Sequence, residues 1–202
     1  MSRAALVAFL IAAACPAAAK DIGLGFPLDC SLPESCTVSA YVDADGGPGA
    51  ADFTCAPASF DGHLGTDIAA PAGAAVLAAA PGRVLMVQDP VSGATPPVTT
   101  LPDPEEAECH RSVTIDHGGG WQSRYCGFAP GTITVSSGRR VAMGQVLGRI
   151  APAAEDAPPH LHFSLRQNGR VRDPYNAGGI PACQGGSPET LWLDPAIAGP
   201  GR

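Results

Sequence analysis

The stretch RSVTIDHGGGWQSRYC, residues 111–126, decides the fold. RSVTID (111–116) and WQSRYC (121–126) alternate in strand fashion, and HGGG (117–120) between them carries the glycine signal of a tight reversal. The segment therefore reads as an antiparallel hairpin. Folding it brings Cys109 nearly opposite Cys126. Facing strand positions lie about 4.5–5.5 Å apart at Cα, within disulfide reach, so a Cys109–Cys126 bond is expected.

Working outward, the same grammar recurs. DIAAPAGAAVLAAAPGRVLMVQD (67–89) reads as three strands broken at PAG (71–73) and PG (81–82). The alanine run 74–80 has helix propensity, but the flanking prolines and glycines bracket it too tightly for a helix of normal length. On the other side lie TITVSS (132–137), RRVAMGQVLGRI (139–150) and HLHFSLRQ (160–167), all read in the same β pattern. Residues 89–108 carry five Pro and three Glu and read as an exposed loop. Residues 20–60 are rich in Gly, Pro and Cys and read as a loop-rich, disulfide-containing segment. Within it VDADGG (42–47) starts like a calcium loop but lacks the closing glutamate, so it reads as a solvated turn. The expected fold class is mainly β: one antiparallel sheet or sandwich domain over 61–175, with disulfide-tied loops and a loop-rich C-terminal segment, 176–202, packed on it.

Composition narrows the function classes. The 202 residues are 45% hydrophobic but only 5% aromatic, with 25 Gly and 21 Pro, which suits short segments joined by turns. A net charge of −7 with no Lys/Arg cluster argues against nucleic acid or anionic membrane as a partner. Arg3, the apolar run Ala4–Ala14 and the small residues Ala17–Ala19 read as a secretory signal over 1–19, too short to be a transmembrane anchor. Cys15 lacks the branched apolar residue that a lipoprotein site takes three positions earlier, since Ala12 stands there. Of seven cysteines, loss of Cys15 leaves Cys30, Cys36, Cys55, Cys109, Cys126 and Cys183, an even set that reads as disulfides in an exported, periplasmic or extracellular protein. The pairing of Cys30, Cys36, Cys55 and Cys183 is left open.

The chain has only five histidines, and two of them, His160 and His162, point to one face of a strand. On its own such a pair is as well explained by a polar surface strip. GHLGTD (62–67) adds His63 and Asp67. His63, Asp67 and one of the 160/162 pair would give two nitrogens and one oxygen, with a fourth position left for water, which is the pattern of a catalytic zinc site.

Taken in this order, H-x-x-x-D at 63–67, VTIDHGGG…VSSGRRVAMGQVLGRI and H-L-H at 160–162, the chain resembles the lysostaphin-type, or LytM-like, zinc metallopeptidases that cut peptide bonds in bacterial peptidoglycan. The resemblance covers roughly residues 60–170. It implies that His63, Asp67 and His162 bind zinc, that His160 is a catalytic histidine beside the metal, and that peptidoglycan peptides are substrate or ligand of a monomer. Family members usually carry Tyr-x-His after the central hairpin; this chain reads Tyr125-Cys126-Gly127, so glycine stands where the second catalytic histidine is expected. Losing one proton-handling group typically costs about 10²–10⁴-fold in rate. His117 reads as a turn residue, His110 as a loop residue, Tyr125, Trp121 and Trp192 as packing residues, and Asp116 as a turn cap or a group orienting a neighbour. Two functions follow: a zinc endopeptidase, or an impaired module that binds wall or regulates another hydrolase. Restoring histidine at 127 is the discriminating substitution the sequence suggests. A third reading is a scaffold stabilised by disulfides and zinc.

Overall fold

A computed structural model describes residues 22–90, 109–153 and 158–197. The expected signal over 1–19 and most of the loop 89–108 lie outside the described residues. The described residues form ten strands: β1 (Thr37–Ala40), β2 (Thr66–Ala69), β3 (Ala75–Leu77), β4 (Gly82–Gln88), β5 (Ser112–Gly118), β6 (Trp121–Cys126), β7 (Arg140–Val141), β8 (Val146–Arg149), β9 (His160–Gln167) and β10 (Arg170–Val171). Among the described residues the one helical element is a short 3-10 turn, Ala182–Gln184. The mainly β expectation holds.

The main sheet runs β1-β2-β9-β6-β5-β4-β7, with β10 added to β9, and its strand pairs are antiparallel. β3 and β8 make a separate two-stranded ribbon. Strand alternation divides the main sheet into two faces. Ile68, Leu161, Phe163, Leu165, Tyr125, Val113 and Ile115 form the buried side, packed with Val76, Leu147, Ile150 and Phe128. The segment 20–60 is more than loop. It supplies β1 and places Leu24, Leu28, Tyr41 and Phe53 in the same core. Leu24 bridges to Trp192 in parallel, so the two ends of the described chain meet.

Three disulfides tie the loops: Cys30–Cys36, Cys55–Cys183 and Cys109–Cys126. In the hairpin Ser112, rather than Cys109, lies directly opposite Cys126. Cys109 reaches Cys126 from outside the strand, at a Cα separation of 5.0 Å. TITVSS is not a regular strand. It lies beside β8, and its threonine hydroxyls take carbonyls there: Thr132 Oγ1 donates to Arg149 O and Thr134 Oγ1 to Val146 O. Local side-chain bonding of this kind competes with the backbone ladder.

Candidate metal centre

β2 and β9 are neighbours, and their register sets Asp67 directly opposite His162. Directly opposite residues share a face, so the carboxylate and the imidazole meet without any loop rearrangement. His162 Nδ1 is 2.8 Å from Asp67 Oδ1. His63 arrives from the turn before β2. Its Nε2 is 3.2 Å from Asp67 Oδ1 and 3.3 Å from His162 Nδ1. Donors at about 2.0–2.1 Å from a tetrahedral ion are themselves roughly 3.3 Å apart, so this triangle has the size a single divalent ion requires. It is the one such cluster found among the described residues.

The donors are held by the backbone. His63 Nδ1 donates to the Tyr41 carbonyl at 2.7 Å, which fixes the tautomer and leaves the Nε2 lone pair directed at Asp67 and His162. Asp43 ties the same turn: its backbone N–H donates to His63 O, and its carboxylate accepts the Gly62 N–H at 2.9 Å. Thus VDADGG is a turn that anchors the histidine loop. Burial alone would raise the Asp43 carboxyl, but bonds from the Gly62, Asp45 and Ala51 amides outweigh it and hold the group below its ordinary range. Burial opposes ionisation of Asp67 too, yet the His162 and His63 imidazoles packed against the carboxylate prevail and keep it well below the usual carboxylate value. Gly65 clears the space, because a Cβ there would lie 2.5 Å from His162 Cε1. Phe60 stacks on His63 with ring centroids 4.1 Å apart, and 44% of it stays exposed.

His160 lies outside the three-donor cluster. It sits two residues before His162 on the same face of β9, about 7 Å away along the strand. Its Nδ1 donates to Pro158 O at 2.9 Å, which leaves Nε2 as an acceptor. Gly127 follows β6 with φ +99°, and a Cβ built on it would stand 2.5 Å from the His160 carbonyl oxygen. Histidine therefore does not fit this backbone, and Gly127→His is not the clean discriminator that the sequence suggested. Among the described residues no other histidine fills the role. His117 Nε2 bonds Ser123 Oγ at 2.7 Å, and Ser123 in turn bonds the Tyr125 hydroxyl. That chain belongs to the buried face, where Tyr125 accepts the Ala79 N–H and burial pushes its hydroxyl up to about 12. His110 is exposed at the approach to β5. Asp116 caps the hairpin turn by accepting the Gly118 N–H, and Trp121 and Trp192 are buried in the core. The Tyr41 carbonyl and Phe60 escaped the sequence reading: a backbone acceptor leaves no sequence signal, although Phe60 stands only three residues before His63.

Fold and site together define an antiparallel β domain with a His-Asp-His cluster, of the size that could hold a cation, on the sheet face opposite the apolar core. Residues 61–174 match the family described as Peptidase family M23, and the chain belongs to that family. Over 116 residues it is 31% identical to the peptidoglycan DD-endopeptidase ShyA of Vibrio cholerae, an alignment covering 57% of this chain and 22% of ShyA. The chain thus spans about a fifth of the length of that relative. Among solved structures, a zinc containing peptidase from Vibrio cholerae superposes with a TM-score of 0.52 at 21% identity, covering 76% of this chain and 39% of that one. A chain of the SpoIIIAH and SpoIIQ complex superposes with a TM-score of 0.53 at 18% identity, covering 75% and 97%. At these identities the structural likenesses establish the fold alone.

Proposed function

We propose that the protein is a zinc-dependent metalloendopeptidase that hydrolyses peptide bonds in bacterial cell-wall peptidoglycan. The observation that carries the proposal is the triangle of His63 Nε2, Asp67 Oδ1 and His162 Nδ1, with sides of 3.2, 2.8 and 3.3 Å. Family membership and the name of the relative ShyA support the reaction class and the substrate. Zinc bound by these three side chains supplies a Lewis acid beside the scissile carbonyl. Around it, the Tyr41 carbonyl holds His63 in the tautomer that presents Nε2, and Asp67 contributes the anionic donor. His160 keeps a free Nε2 on the same face, suited to holding a proton near the developing charge. Three disulfides favour an oxidising compartment, which agrees with an exported protein, periplasmic or extracellular. The protein acts as a monomer in this reading.

The test joins two measurements on the purified chain: zinc content after exhaustive dialysis, and release of new amino groups from purified cell wall. Stoichiometric zinc with chelator-sensitive amine release is expected. Zinc-free protein, or release that chelators leave unchanged, sinks the proposal.

Gly127 favours a second reading, in which the chain binds wall or regulates another hydrolase without cutting. The residue offers no proton-handling group, and its backbone has no room for one. Sedimentation with cell wall, without amine release, is the outcome that selects this reading.

A further inference from the structure

The register carries one row of residues straight across five strands. Asp67 faces His162, His162 faces Cys126, Cys126 faces Ser112, and Ser112 faces Gln88. All five therefore share the face that bears the metal site. The next row on that face sets Arg124 between Ser164 and Thr114. Arg124 is half-buried, and among the described residues its one side-chain hydrogen bond runs from Nη2 to Gln88 Oε1 at 3.3 Å. Its Nε is buried with no partner, and so is the hydroxyl of Ser164 opposite it. Among the described residues no carboxylate lies within ion-pair distance of Arg124, whereas Arg111 nearby is paired with Asp89.

A half-buried guanidinium with idle donors is costly unless something anionic completes it. The planar fork matches a carboxylate through two parallel N–H···O bonds. From this we infer that Arg124, with the Ser164 hydroxyl beside it, is a carboxylate-recognition subsite on the sheet face that carries the His-Asp-His cluster. Its position follows from the sheet. The bond to Gln88 draws the guanidinium from β6 toward β4, two to three strand spacings from the metal donors on β9 and β2. At about 4.8 Å per strand this is roughly 10–14 Å, or three to four residues of extended peptide. A peptide lying across the strands with its scissile bond at the His-Asp-His cluster would therefore place a free carboxylate, three to four residues away, on Arg124. The inference rests on the peptidase reading, because it takes the occupant to be a peptide laid across the metal centre.

The probe is crosslinked peptide released from purified wall by glycan-cleaving enzymes. It is used as released, and again after its carboxyl groups have been converted to amides with carbodiimide and ammonia. Binding to the zinc-loaded full chain is read by fluorescence anisotropy in the first seconds after mixing, so the result does not depend on hydrolysis. The wild type is expected to bind the acid form at least about tenfold more tightly than the amide, the usual scale of a charge-assisted pair. Arg124→Gln should abolish the preference and Arg124→Lys keep part of it. Zinc content and melting temperature of both variants should match the wild type. Equal binding of acid and amide by the wild type, binding of neither, or a preference that survives Arg124→Gln overturns the subsite. The peptidase reading fails separately, by absence of chelator-sensitive amine release while the acid preference persists.

Discussion

Two corners of the same sheet face differ sharply in how they are built. At one, His63, Asp67 and His162 are fixed from several directions: a cross-strand register, the Tyr41 carbonyl, the Asp43 turn and the gap left by Gly65. At the other, Gly127 presents backbone alone, and His160 is held by a single bond to Pro158 O. The difference teaches that gathering a set of cation-donor groups and handling a proton are separable in this fold. Sheet geometry secures the first. The second depends on side chains that a single left-handed glycine removes.

The strongest way to break the comparison is Asp67→Ala. It removes the donor shared by both imidazoles, and zinc retained after dialysis should fall from one per chain to a small fraction; full retention would mean that the ion sits elsewhere. Gly65→Ala tests the same corner without touching a donor. Its methyl group presses on the His162 ring, and displaced ligands of this kind typically weaken metal affinity about 10–100-fold, readable by chelator competition. At the other corner Gly127→His is expected to lose about 1–3 kcal/mol in denaturant unfolding without raising amine release, because its Cβ meets the His160 carbonyl at a positive φ. A gain in release would show that the backbone yields and that the corner can be rebuilt.

The smallest effect lies away from both corners. Burial raises the Asp173 carboxyl to about 7, with Asp52 adding to the shift, against bonding from the Tyr175 amide. A folded-state value above the unfolded one means the group adds stability below about pH 4 and loses it as pH climbs through 7. Asp173→Asn should therefore flatten the fall in unfolding free energy between pH 5 and pH 8, by about 1–2 kcal/mol at the upper end. It should leave zinc retention unchanged. An unaltered pH profile would place the titration on another group.

Legibility in the sequence followed periodicity. The 111–126 hairpin, the three strands from Asp67 to Gln88 and the HLHFSLRQ strand show alternation or turn residues, and each is found as β structure. TITVSS shows alternation too but forms no regular strand: its backbone bond to β8, from the Thr134 N–H to Leu147 O, is joined by hydroxyl-to-carbonyl bonds from Thr132 and Thr134. The contribution of residues 20–60 was hidden for a different reason. Four residues of β1 and scattered Leu24, Tyr41 and Phe53 have no period to detect, and they acquire a role only through what they pack against.

By itself, then, the sequence determined an antiparallel β chain and singled out the three side chains that cluster as candidate cation donors, since strand alternation and donor chemistry are local properties. The tertiary structure alone decided that β2 and β9 pair in the register that brings Asp67 to His162, that a carbonyl 22 residues upstream orients His63, and that Gly127 has no room for a side chain. It also decided that Arg124 is left without an anion among the described residues. These depend on distances between segments far apart in the chain, and such distances exist only once the whole sheet has closed on its core.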